Sequence, residues 1–165
     1  MEVTQELLHK LFSYDPETGL FTRKIRNGDG RGKVGEVAGS LSNGYVMLAC
    51  GGGRMYAAHR LAWLYVYGCW PQKQIDHRNG IRHDNRWVNL RLATRAENRR
   101  NTGLQRNNTS GFRGVSKRHN PNKYTSHITV NRKYIHLGSF NTAEEASTAY
   151  IAASKHYFGE FHRDQ

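Results

Sequence analysis

Ile75-Asp76-His77-Arg78-Asn79-Gly80, continued by Asp84-Asn85-Arg86, Asn89-Leu90-Arg91 and Glu97-Asn98, is the stretch on which the reading of this chain turns. Gln74 to His77 and Leu90 to Ala93 read as two short strands around a polar loop, each a brief run bounded by turn-forming residues. Thr94-Arg95-Ala96-Glu97 has capping-box spacing, in which the Thr94 hydroxyl accepts from early helix amides and Glu97 reaches back. That spacing predicts a helix running to about Asn101. The order is therefore a strand ending in a carboxylate and an imidazole, a polar loop, a second strand, and a capped helix bearing a carboxamide.

Phosphodiester hydrolysis needs those groups: a divalent ion on the scissile phosphate and a base to deprotonate water. Asp76 and Asn98 offer hard oxygen ligands for Mg²⁺ or Mn²⁺, one ion per site. His77 titrates near neutrality and suits the base. A carboxamide such as Asn89 can hold the His77 ring in the useful tautomer. Adjacent strand residues point to opposite faces, so Asp76 and His77 share a site only where the strand ends, and Asn79-Gly80 supplies that end. Any one of these residues alone reads as a turn former. Four of them in this order, each at an element boundary, read as a site.

The rest of the composition agrees with a polyanionic partner. In 165 residues, room for one ordinary domain or two small ones, Lys and Arg number 25 against 13 Asp and Glu, a formal charge of +12. Such an excess gains free energy from phosphates by releasing their condensed counterions. A membrane partner is not expected, because no apolar run approaches the roughly 18 residues a spanning helix needs. Met1 to Lys10 is polar and carries Glu2 and Glu6, so it does not read as a signal peptide. Cys50 and Cys69 lack the paired spacing of a zinc site and read as idle thiols in a cytoplasmic protein, although one disulfide is open to them.

Three segments flank or contain the central stretch. Residues 1–53 form a sheet-rich N-terminal segment. Thr4 caps a helix whose apolar face is Leu7, Leu8, Leu11 and Phe12; residues 14–19 are a turn; Leu20 to Thr22 is a strand; Asn27 to Gly35 is a loop; and Val37 to Ala49 is a hairpin turning at Ser42-Asn43-Gly44. Gly51-Gly52-Gly53 is another turn, without the ending of a phosphate-binding loop. Arg23, Lys24, Arg26, Arg31 and Lys33 either track a DNA backbone or form a solvated face. Residues 54–102 hold the central stretch, preceded by a short apolar helix from His59 to Tyr67 that ends at Gly68. His59 reads as structural or as a phosphate contact, and Asn79 and Asn85 as loop-shaping residues. Residues 103–110 are a polar linker. Residues 111–165 predict three strands, Phe112 to Lys117, Lys123 to Val130 and Lys133 to Phe140, with turns at Asn120-Pro121-Asn122 and Asn131-Arg132. A helix capped by Thr142 follows, with Ala146, Ala149, Tyr150, Ala153 and Tyr157 on one face.

The stretch Ala58-His59-Arg60-Leu61-Ala62-Trp63, Ile75 to Gly80, Asp84-Asn85-Arg86, Asn89-Leu90-Arg91, Thr94 and Asn98 resembles the HNH endonucleases of phage and intron-homing type. The resemblance covers roughly residues 55–102 and implies a ββα-metal fold, with Asp76 and Asn98 as metal ligands, His77 as general base and Asn89 orienting it. Asn98 stands where many HNH enzymes have His, which matches the homing-type subgroup and implies a hard, oxygen-ligated ion.

Ser110-Gly111-Phe112-Arg113-Gly114-Val115, Tyr134 to Phe140, and Thr142-Ala143-Glu144-Glu145-Ala146 with Ala149-Tyr150 and Ala152-Ala153 resemble the AP2 domain, which lays a three-stranded sheet in the DNA major groove. That resemblance implies DNA contacts from Arg113, Lys117, Arg118, Thr129, Arg132, Tyr134 and His136. Tyr134, His136 and Thr129 stand where the family often has Arg or Trp, so the target sequence differs. Phe112, Ile135 and Phe140 read as sheet core.

The expected protein is of α+β class: an HNH nuclease core behind a sheet-rich N-terminal segment, plus a small AP2-like domain of three antiparallel strands and one helix. It acts on double-stranded DNA with a divalent ion and no small-molecule cofactor. One such site cuts one strand, so a monomer nicks, and a double-strand break needs a homodimer or two successive events. The rival expectation is a DNA-binding regulator on a degenerate HNH scaffold. An RNA-binding reading lacks the aromatic motif it would need.

Overall fold

The computed structural model describes residues 3–26, 32–104, 107–118 and 123–163. Among these are four α-helices and ten strands, the strands arranged in four small antiparallel sheets. The chain divides into two compact units, residues 1–95 and 96–165. Among the described residues no helix is long and apolar enough to cross a membrane.

In the first unit, α1 (Gln5–Leu11) starts at Thr4, whose side chain accepts from the Leu7 amide as expected. Strand β1 (Phe12–Tyr14) follows without a turn and pairs with β2 (Phe21–Arg23). Three residues are too few to carry a periodic signal. The strand forms because Phe12 and Tyr14 bury on one side while Ser13 stays exposed. Strands β3 (Ser40–Ser42) and β4 (Tyr45–Cys50) make the expected hairpin, with Asn43 and Gly44 both at positive φ. A third strand, β5 (Arg54–Ala57), was not legible beforehand, since nothing in Arg-Met-Tyr-Ala alternates; pairing with β4 creates it.

Helix α2 (Ala58–Tyr67) ends at Gly68 in the left-handed region. It buries Ala58, Leu61, Ala62 and Leu64 against Leu8, Phe12, Tyr14, Phe21 and Leu48. Ile75 and Leu90, from the central stretch, belong to the same core. They sit on β6 (Gln74–His77) and β7 (Leu90–Ala93), which have the bounds read from sequence and pair with Asp76 opposite Arg91 and His77 opposite Leu90. Both cysteines are free, Cys50 buried and Cys69 exposed; burial raises the Cys50 thiol to about 11, where it stays protonated.

Helix α3 (Arg95–Arg100) crosses the division. Strand–strand–helix is thus the chain order of β6, β7 and α3. In the second unit, β8 (Val115–Lys117), β9 (Tyr124–Val130) and β10 (Lys133–Phe140) form a sheet in the order β10-β9-β8. Helix α4 (Ala143–Phe158) packs on it through Ala146 and Tyr150, capped by the Thr142 hydroxyl on the Glu145 amide. The first strand is shorter than expected. Ser110 donates to the Phe112 and Val115 carbonyls and Asn108 to Phe112, which folds residues 108–114 into a turn. Gly114 there has φ +68°, and a Cβ would lie 2.0 Å from the Tyr150 ring. Residues 108–110, read as linker, belong to this hydrogen-bonded turn. Arg31 and the turn at Asn120-Pro121-Asn122 lie outside the described residues.

Candidate active site

The polar loop between β6 and β7 is held in one shape by its own side chains. Asn79 donates to the Asp84 carboxylate at 2.6 Å and accepts from the Ile81 amide at 2.8 Å. Arg86 clamps Asp84 with two bonds, 2.8 and 2.6 Å, and holds that carboxyl down to about 2. Asn89 ties the two ends together: it accepts from the Asn79 amide at 3.0 Å and donates to the Asp84 carbonyl at 2.7 Å. Asn89 was expected to orient His77. Both of its polar atoms are instead on loop backbone, so its geometry is that of a loop clasp.

The carboxamide facing His77 is Asn85. Its Nδ2 donates to the His83 carbonyl at 3.2 Å, which turns Oδ1 toward His77 Nε2 at 3.3 Å. An acceptor there favours the proton on Nε2 and the lone pair on Nδ1. Burial pushes the imidazole below its ordinary value, against upward pulls from Asn85 and the Asp76 and Asp84 carboxylates. His77 is therefore mostly neutral at physiological pH. Asn85 carried no separate signal in the sequence, being one of several asparagines in a polar loop.

The N-terminal turn buttresses this loop. The Tyr14 hydroxyl donates to the Asn85 carbonyl at 2.7 Å, and the Trp87 amide to the Pro16 carbonyl at 2.8 Å. Burial pushes the Tyr14 phenol up, keeping it a donor. Gly19, at φ +73°, lies so close that a Cβ would fall 2.4 Å from Arg86 N. The sheet-rich segment thus fixes the height of the residue that faces His77.

Asp76 is buried on β6, and the guanidinium of its cross-strand partner Arg91 reaches it with Nε at 2.8 Å and a terminal nitrogen at 2.7 Å, both on Oδ2. Arg91 was not singled out from sequence. The two buried side chains are each other's partners across the strand pair, Asp76 at 4% exposure. Asn98 lies on α3, in the second unit. Among the described residues no three His, Cys, Asp or Glu side chains gather as a metal cluster. One carboxylate with carboxamides nearby in sequence does not make a tetrahedral zinc cage. It fits a hard ion such as Mg²⁺, which takes one or two carboxylates and completes its shell with water and substrate oxygens.

A second histidine stands beside the first. His59, in the first turn of α2, has its ring centroid 5.0 Å from that of His77 and 5.3 Å from that of Tyr45. Arg82 lies over the Tyr45 ring at 5.2 Å. Burial, then His77 and Arg60, lowers His59 to about 3. Arg60, Lys73 and Arg95 line an open depression of about 510 Å³ whose lining includes no acidic residue.

In the second unit, Arg113, expected at a DNA contact, turns its guanidinium onto backbone carbonyls. Its guanidinium donates to the carbonyls of Arg99 and Arg100, at the end of α3, and of Thr102 just beyond it. A cation there satisfies carbonyls that a helix end leaves over and complements its dipole. Lys117, Arg118, Thr129, Arg132, Tyr134 and His136 are all exposed. Thr129 faces Tyr134 across the ladder, and His127 faces His136, so these four share one side of the sheet. His127 and Tyr134 stack with centroids 5.0 Å apart. Ile128 and Ile135 take the other side; Phe112, Ile135 and Phe140 are partly buried, between core and surface.

No curated protein matches the chain. Residues 56–100, the stretch that carries His59, Asp76, His77, Asn85, Asn89, Arg91 and Asn98, match the family model described as HNH endonuclease, and it is to that nuclease family that this part of the chain is similar.

Proposed function

We propose that the protein is a metal-dependent DNA endonuclease of the HNH homing type. On this reading, β6, β7 and α3 are the strands and helix of a ββα-metal site, and the sheet of the second unit is an AP2-like surface that docks it on duplex DNA. The observation that carries the reading is the His77 imidazole at the end of β6, next to the buried Asp76 and with Nε2 3.3 Å from Asn85 Oδ1, an arrangement that favours the tautomer with its lone pair on Nδ1.

In that role Nδ1 of His77 accepts the proton of the attacking water, and Asn85 stabilises the imidazolium as Nε2–H donates to it. Asp76 and Asn98 would hold Mg²⁺ or Mn²⁺, which when bound polarises the phosphoryl oxygen and neutralises charge on the leaving oxygen. Arg91 holds the Asp76 carboxylate in place through its two contacts to Oδ2. Asn89 fixes the loop on which Asn85 rides. Arg60, Lys73 and Arg95 lie where a phosphate backbone would be attracted. On the sheet, Tyr134, His136 and Thr129 would read the groove, with Lys117, Arg118 and Arg132 on phosphates. Tethering to duplex raises the effective concentration of a nuclease site of low intrinsic affinity.

The test is supercoiled plasmid with and without Mg²⁺ or Mn²⁺. Metal-dependent nicked circles are expected from a monomer, and linear product from a homodimer. His77→Ala should abolish cutting and keep duplex affinity; equal cutting by that variant removes the proposed base. Binding without any metal-dependent cutting would favour the regulator reading instead.

A further inference from the structure

We propose that His59 is a second imidazole of the same site, donating through Nε2–H to a phosphoryl oxygen of the strand being cut. The inference rests on the nuclease reading above and concerns a residue that this reading leaves without a role.

Three observations carry it. The first turn of α2 sets the His59 ring edge-on to His77, at 78° and 5.0 Å between centroids, and the Tyr45 ring adjoins both, 5.3 Å from His59 and 6.1 Å from His77. The two imidazoles are therefore immediate neighbours. Second, His59 Nδ1 is shielded from solvent and has no hydrogen-bond partner among the described residues. An orphaned buried N–H is rarer in folded chains than an under-used acceptor, so Nδ1 takes the lone pair and the proton sits on Nε2. Nε2 is the outer end of the ring, and the residue keeps partial exposure. Third, Arg60 follows it in sequence and Arg82 covers Tyr45, so the surroundings favour an anion.

The depressed basicity of His59 agrees: across the working pH range it stays neutral, a donor of constant charge that does not compete with His77 for the water's proton. A neutral donor aimed at developing phosphoryl charge, in a site that excludes bulk water, stabilises the transition state more than the ground state. A purely structural histidine would have both nitrogens satisfied or would be replaced by an apolar ring of equal size at no cost to the chemistry.

Two readouts on the full chain test this. In the first, ¹⁵N shifts of the histidine rings are followed as duplex DNA is added in EDTA, where no cutting occurs, with His59→Phe assigning the signal. The His59 Nε2 resonance should move and Nδ1 should stay; an unmoved Nε2 at saturating duplex overturns the proposal whether or not the chain is a nuclease. In the second, His59→Phe should keep the melting temperature and weaken duplex binding only severalfold, but slow single-turnover cutting about a hundredfold, with His59→Gln restoring part of the rate. Wild-type cutting by His59→Phe overturns the proposal and leaves the nuclease reading standing. A wild-type protein that never cuts, yet shows the Nε2 shift, overturns the nuclease reading and keeps the phosphate contact. Should His59→Phe not fold, the ring resonances of the wild-type chain decide.

Discussion

The hydroxyl of Tyr14 donates to the carbonyl of Asn85 at 2.7 Å, joining a residue next to α1 to the residue that faces His77. The bond is buried, so deleting the donor leaves a carbonyl unsatisfied. Tyr14→Phe should cost about 1–3 kcal/mol in stability. It should also slow plasmid nicking more than that loss explains, because Asn85 would no longer be held at a fixed height. Denaturant unfolding together with nicking rates at a temperature where the variant is folded checks this; an unchanged rate would make the N-terminal turn a fold element only.

Arg91 and Asp76 form a buried pair, so the two single variants should differ sharply from the double. Arg91→Met or Asp76→Leu alone should lose about 3–5 kcal/mol, since each strands a buried charge. Arg91→Met with Asp76→Leu should regain most of it while remaining inactive. A double-mutant cycle by denaturant unfolding measures the coupling, and additive losses would show that the two charges do not depend on each other.

Stability should depend on pH through His59. Its folded value of about 3 lies below the ordinary histidine value, so between the two the unfolded chain binds more protons. Stability is then complete above about pH 6.5 and falls as the pH drops from there toward about 3. Unfolding midpoints across that window should decline in the wild type, and His59→Phe should flatten the decline. Parallel curves for the two proteins would mean that His59 is not buried neutral.

Arg113 and Tyr134 should separate fold from recognition within the second unit. Arg113→Ala removes bonds to three carbonyls and should destabilise by about 1–3 kcal/mol. Tyr134→Ala, at a position 64% exposed, should change stability by less than about 0.5 kcal/mol but weaken duplex binding. Thermal melts and gel-shift titrations of both variants check the split. The reverse pattern would move the DNA contact from the open sheet face to the Arg113 side.

Much of the chain was legible before any coordinates. The bounds of β6 and β7, the Thr4 and Thr142 caps, the Asn43-Gly44 turn, and the three strands and one helix near the C-terminus all follow from local rules. Caps and tight turns are decided by a few adjacent residues, so their signals survive in one dimension. The short strands β1 and β5 did not, because their identity comes from the partner they pair with.

The candidate site divides in the same way. Sequence alone determined which chemical groups the chain brings to the central stretch: a carboxylate, an imidazole, carboxamides and an excess of cations. Only the tertiary structure decided which of them meet. It gave His77 to Asn85 rather than Asn89, set Arg91 against Asp76 and His59 against His77, and turned Arg113 back onto α3. Side chains of one type are interchangeable as letters; the strand register, the helix face and the direction of each hydrogen bond exist only once the backbone is fixed in space.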